Sequence, residues 1–197
     1  MLSPNFAVLG AIINLAGCLS YAWDTLRGRT KPNRVGWSLW AFAPLVAFAA
    51  EMAGGVPIQQ SLMTFSAGLG PALVLLASFV SRTAYWKIRP FDWACAGLSI
   101  AALILWWITG KGNIAILFSI CADILACLPT ATKAYTHPDT ESPAAFVTGA
   151  IGAALTILTI AEWKFANYAF ATYLLIANAC IAGIILIRGG LKKRPTN

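Results

Sequence analysis

Asp123 lies in the middle of a run that is otherwise apolar enough to enter a lipid bilayer, Ser-Ile-Cys-Ala-Asp-Ile-Leu-Ala-Cys-Leu-Pro-Thr, residues 119–130. An ionisable side chain is costly at that depth and usually faces a bundle interior or a water-filled cavity. A carboxyl placed there can exchange a proton during transport, bind a cationic solute, or serve as interhelical glue, a role worth about 1 kcal/mol per polar residue. Asn14 and Asn178 fall near half depth in two other apolar runs, and Ser66 and Thr64 place hydroxyls in a third. Amides, a hydroxyl and one carboxyl at a common depth suit a small polar or cationic solute. The candidate substrate-binding set is therefore Asn14, Asp123, Asn178 and Ser66, with Asp123 the candidate for proton coupling.

Little else in the chain is equipped for chemistry. Its one histidine, His137, stands in a polar, Pro-containing segment and reads as a solvated loop residue. The five cysteines, Cys18, Cys95, Cys121, Cys127 and Cys180, are all inside apolar runs, without the paired loop spacing of a disulfide framework or zinc site. No nucleophile and base pair is evident. Neither an enzyme nor a metal site nor a cofactor is expected.

The elements that must position these residues follow from composition. The chain has 197 residues, of which 59% are hydrophobic and 11% charged, and its mean hydropathy is +0.73. Soluble domains are typically about a quarter charged, so this is an integral membrane protein. Seven runs, near 6–26, 35–53, 58–80, 91–109, 113–132, 143–161 and 167–187, have the roughly 18 or more residues needed to cross a hydrocarbon core about 30 Å thick.

The net charge of +7 is distributed as in a membrane protein rather than a nucleic-acid binder. Arg27, Arg29, Lys31 and Arg34 follow the first run, Arg82, Lys87 and Arg89 the third, Lys133 the fifth, and Arg188, Lys192, Lys193 and Arg194 the seventh. The alternate connections hold only Lys111 and Lys164. By the positive-inside rule the N-terminus is expected outside and the C-terminus in the cytoplasm, in a multi-pass protein of the cell (inner) membrane. No basic segment precedes the first run, so it is expected to be a retained helix and not a cleaved signal peptide. The expected partners are the lipid bilayer and a small polar or cationic solute, with no nucleic acid, and a homo-oligomer is compatible with the pattern.

Four residues are candidates for gates or kinks. Pro71, in Gly-Leu-Gly-Pro, and Pro129 interrupt helix hydrogen bonding, while Glu51 and Glu162 close the outer ends of the second and sixth runs. The small residues around Gly68 and Gly70 permit close helix contact. Trp37 and Trp40, near the cytoplasmic interface, read as part of an aromatic belt, and Asp92 with Trp93 as interfacial anchors.

The chain also contains itself twice. Laying the run of Asp123 over that of Asn14 aligns Cys127 with Cys18, Leu128 with Leu19 and Ala131 with Ala22, and past a two-residue insertion Glu162 falls on Glu51. The predicted fold is an all-α integral membrane protein of seven transmembrane helices in a 3+1+3 arrangement. Residues 1–82 form the first three-helix repeat, 83–110 a linker helix, and 111–197 the second repeat with its basic tail. One odd helix between the copies makes the repeat parallel, its pseudo-two-fold along the membrane normal.

This order resembles the SWEET and PQ-loop superfamily of seven-helix membrane proteins over almost the whole chain. Lys31, Gly36 and Ser38 fit the basic-loop part of the PQ-loop pattern, and Pro129 fits its proline, followed here by Thr130 in place of Gln. The first copy has Ser20-Tyr21 at that place. The chain is also similar to bacterial seven-helix proteins with a Gly-x-Thr-Lys-Pro-x-Arg loop, here Gly28 to Arg34. The resemblance implies a small-solute transporter, a facilitator or proton-coupled, with a midplane site between the repeats; its alternative is a non-transporting receptor or assembly protein of the same fold. In the sugar-transporting relatives an asparagine pair from the third and seventh helices contacts substrate. Asn178 corresponds to one member, whereas the third run offers small residues at the matching depth.

Overall fold

Hydrocarbon offers backbone groups no hydrogen bonds, so an apolar run that crosses it must satisfy each N–H and C=O within itself. The computed structural model describes residues 2–81, 86–109 and 112–192. Each of the seven runs forms a helix: α1 Asn5–Leu26, α2 Arg34–Ala53, α3 Ile58–Val80, α4 Pro90–Thr109, α5 Gly112–Thr136, α6 Ala144–Ile157 and α7 Phe165–Lys192. A single 3-10 turn, Pro138–Thr140, lies between α5 and α6, and no strand occurs among the described residues. α1, α2, α3, α5 and α7 are long and apolar enough to cross a membrane.

The sixth helix corrects its expected range. The run 143–161 is helical only to Ile157, 14 residues in all, or about 21 Å at the α-helical rise. The carbonyls beyond it are used elsewhere. Leu158 O accepts from Leu2 N at 3.0 Å and Thr159 O from Gln60 Nε2 at 3.1 Å, so the chain leaves the helix to bind the start of the protein and α3. By contrast α5 continues through Pro129 to Thr136, and α7 runs on to Lys192.

Connections are fixed by local chemistry. Gly28 and Gly55 take the left-handed φ values of 71° and 75° that turn the chain after α1 and after α2. Asn33 caps α2, its Oδ1 accepting from Val35 N at 3.1 Å and Gly36 N at 3.4 Å. Its Nδ2 donates to Asp92 Oδ1 at 3.0 Å, and Asp92 Oδ2 accepts from Arg89 N at 2.7 Å. Asp92 is thus a buried tie between the starts of α2 and α4 rather than an interfacial anchor, while Trp93 beside it is exposed.

α1 packs on α3 and α6, α2 on α3 and α5, and α5 on α2, α4 and α7, with α6 against α7. Among the described residues the backbones of α1 and α2, and those of α5 and α6, do not pack on each other, although Tyr21 of α1 and Trp37 of α2 meet through their rings. The interior is built largely of Ala, Gly, Ser and Thr, whereas Leu9, Ile12, Phe42, Leu76, Phe79, Ile151 and Ile187 point outward. This arrangement suits lipid, where large apolar side chains gain nothing from an interior position and close packing of small ones joins helices. Gly68 admits Leu45 of α2, and Gly70 admits Cys18 of α1.

The tightest crossing joins α1 and α6 through Gly10 and Gly152. A Cβ on Gly152 would lie 2.5 Å from Gly10 O, and one on Gly10 would lie 2.6 Å from Gly152 O. Both obstacles are backbone, which cannot swing aside. Gly152→Ala is therefore expected to cost on the order of 1–3 kcal/mol, as overpacking does, and to lower the melting temperature in detergent. Gly183→Ala in α7, where a Cβ meets nothing within 4 Å, should be neutral or slightly stabilising. Equal melting of the two variants would show that the crossing is not under steric constraint.

Candidate functional site

α1, α5 and α7 bring their mid-helix polar residues to a single cavity of about 60 Å³. At roughly 10–15 Å³ of such space per molecule, it admits a handful of waters in this conformation. Asn14, Asp123 and Asn178 all line it, together with Tyr173, Trp37, Trp40, Phe146, Pro44 and Pro71. Cys18 and Cys127, matched in the two repeats of sequence, both reach its wall.

The polar groups are positioned by neighbouring helices. Asn14 Nδ2 donates to Ser66 Oγ of α3 at 3.0 Å, and that hydroxyl donates to Met63 O at 2.8 Å. The Tyr173 hydroxyl of α7 donates to Asp123 Oδ2, and the Trp40 side chain stands beside the same carboxyl. Asp123 is 4% exposed and its Oδ1 has no hydrogen-bond partner. Asn178 Nδ2 donates to Leu174 O at 2.8 Å, and its Oδ1 lies against Gly149 of α6, where a Cβ would come within 2.8 Å. The α1 and α5 residues are thus held alike, each by a hydroxyl from the second helix after it in the chain, but one is an amide and the other a carboxyl.

Ser66 supports Asn14 and is not itself among the cavity-lining residues. Thr64 points to a different group, donating to Glu51 Oε1 at 2.9 Å. Trp37 and Trp40 correct the aromatic-belt reading. They are 2% and 8% exposed and join Tyr21 and Phe146 in one cluster of tilted and edge-to-face rings, with Tyr21 to Trp37 at 4.7 Å and Trp37 to Trp40 at 5.3 Å between ring centroids. Hydropathy sets the depth of a tryptophan but not the side of the helix it occupies. Both face the interior because Asn33 and Gly36 seat the start of α2 against α4 and α5.

Behind this cluster, at the end of the bundle bearing the basic loops, lies a network the sequence did not announce. Lys133 Nζ pairs with Glu141 Oε1 at 2.7 Å, the side chains 1% and 0% exposed. Glu141 Oε2 accepts from the Tyr21 hydroxyl at 2.5 Å. Lys133 also donates to Lys31 O and stands over the Trp86 ring, 4.8 Å from its centroid. One ion pair thereby joins α1, the α1–α2 loop, the segment before α4, the end of α5 and the α5–α6 loop. His137 is exposed and packs edge-on against Trp86 at 5.2 Å.

The two glutamates that the sequence alignment pairs, Glu51 and Glu162, occupy opposite environments. Glu51 is buried, with Oε2 unpartnered. Glu162, beyond the early end of α6, is exposed and paired with Lys164 at 2.6 Å, whose ammonium and hydrogen bond hold its carboxyl below the usual range. Pro71 lines the cavity, and Pro129 lies about 1.7 turns beyond Asp123 on α5 toward the basic end. Among the described residues no group of His, Cys, Asp and Glu is arranged to hold a metal ion. Neither a family model, nor a curated protein, nor a solved structure matches this chain.

Proposed function

We propose that the chain is a small-solute membrane transporter, a facilitator or proton-coupled, with its site at the Asn14–Asp123–Asn178 cavity between two three-helix repeats. The observation that carries this reading is Asp123: a buried carboxyl in mid-helix with one oxygen held by Tyr173 and the other without a hydrogen-bond partner, on a residue that lines a cavity together with two amides. A carboxyl serving only as glue would be expected to use both oxygens, since an unpartnered buried one is costly.

The helix packing supports a parallel 3+1+3 repeat. Exchanging α1, α2 and α3 with α5, α6 and α7 turns the α1·α3, α2·α3 and α1·α6 contacts into α5·α7, α6·α7 and α5·α2, each of which exists. The clustering of Lys31 and Lys133 at one end agrees with an orientation in which the basic end is cytoplasmic, the N-terminus outside and the membrane that of the cell. On this reading the aromatic cluster and the Lys133–Glu141 pair close the cavity from the cytoplasm, and rocking of one repeat against the other opens it.

The test uses sealed proteoliposomes. Metabolites are first screened for thermal stabilisation of the purified protein at two pH values, and each stabilising solute is then followed across the vesicle wall. Protein-dependent entry of such a solute is expected. Stabilisation by a solute that never crosses would overturn transport in favour of a receptor.

A further inference from the structure

The end of the bundle opposite the basic loops holds a second buried polar cluster, separate from the cavity. Glu51, near the end of α2, is 4% exposed, and from the first turns of α3 come Gln60, Ser61 and Thr64, all 6% exposed or less. Thr64 donates to one oxygen of Glu51 at 2.9 Å, and Ser61 stands beside the same carboxyl. Glu51 Oε2 and Gln60 Oε1 are buried without a partner, and the Ser61 hydroxyl, close to the same carboxyl, makes no hydrogen bond of good geometry. Gln60 is fixed in place by its Nε2, which donates to Thr159 O at 3.1 Å. No salt bridge reaches Glu51 among the described residues, and Glu162 and Lys164, the charged pair of the α6–α7 connection, are exposed and satisfy each other.

A buried carboxylate without a counter-charge is strongly unfavourable, and so is a group of orphaned acceptors beside it. One ligand resolves both. We infer that Glu51, Ser61 and Thr64 form a site for one small monovalent cation of the Na⁺ type. The donors are all oxygen, which suits a hard cation and not a transition metal. Their single negative charge matches a single positive one, whereas a divalent ion would leave a net charge in a low-dielectric setting. A bound cation would join the end of α2 to the start of α3, the hairpin that the Gly55 turn closes.

Purified wild-type protein, melted at constant ionic strength with choline replaced stepwise by Na⁺, is expected to show a saturable rise in melting temperature. Glu51→Gln should abolish the Na⁺ response. Ser61→Ala, a smaller change that retains the carboxylate, should raise the half-saturating Na⁺ concentration about tenfold, as the loss of one charged-group contact does, and this variant decides the matter if Glu51→Gln does not fold. Asp123→Asn should keep the response, which separates this site from the cavity. Indifference of the wild type to Na⁺ over choline overturns the inference, as does an unchanged response in Ser61→Ala. Stabilisation that follows falling pH alone, with no cation dependence, also overturns it and makes Glu51 a protonated structural acid.

Discussion

Asp123→Asn is expected to reduce uptake of the solute into proteoliposomes by about 10- to 100-fold in apparent affinity, the equivalent of a hydrogen bond to a charged group, about 1.5–3 kcal/mol. It should also abolish any dependence of uptake on an imposed pH gradient. The substitution is nearly isosteric. Its amide oxygen can still accept from the Tyr173 hydroxyl that now holds Asp123 Oδ2, so folding should survive. What changes is the other, unpartnered atom. Oδ1, an acceptor with no partner, becomes either an amide donor or an uncharged acceptor, and the group can no longer take or release a proton. Asn14→Ala is the comparison. It removes an amide held by Ser66 in the wall of the same cavity and should weaken uptake while leaving its pH dependence in place. Uptake and pH dependence both unaltered in Asp123→Asn would reduce the carboxyl to interhelical glue and remove it from the transport mechanism.

How much of this was legible in the sequence divides along a physical line. Depth is a one-dimensional property, and the chain states it. Seven apolar runs became seven helices, and the three polar residues near half depth, Asn14, Asp123 and Asn178, reached one cavity. Direction around a helix axis is not stated when nearly every face is apolar, so Trp37 and Trp40 read as belt residues although they wall the cavity. Helix ends were the other weak point. α6 stops at Ile157 because Leu2 and Gln60 take the carbonyls beyond it, a long-range choice invisible to local hydropathy. That early stop leaves Glu162 in an exposed connection while Glu51, with which the sequence aligns it, is enclosed. Lys133 was legible only as one more positive charge on the cytoplasmic side. Its spacing of eight from Glu141, across a turn in a short loop, was the one available signal that the two pair.

That pair carries the largest expected effect on stability. Lys133→Met should destabilise the protein by about 3–5 kcal/mol, because removing one partner of a buried ion pair strands the other. Glu141 would keep only the Tyr21 hydroxyl, and Lys31 O would lose its donor. The double substitution Lys133→Met with Glu141→Gln leaves no stranded charge and should recover much of the loss, since replacing a whole buried pair is often near neutral. The readout beyond melting is access to Cys127, which lines the cavity. In a variant with the other four cysteines replaced by Ala, a water-soluble thiol reagent applied from the basic side should label Cys127 several-fold faster once Lys133 is changed. The ion pair holds Tyr21, and through its tilted ring contact with Trp37, 4.7 Å between centroids, it holds the aromatic wall. If the double variant is as unstable as the single one, the cost is lost packing of the lysine stem on Trp86 rather than a stranded charge. If melting falls while labelling does not change, the pair braces the loops without closing the cavity.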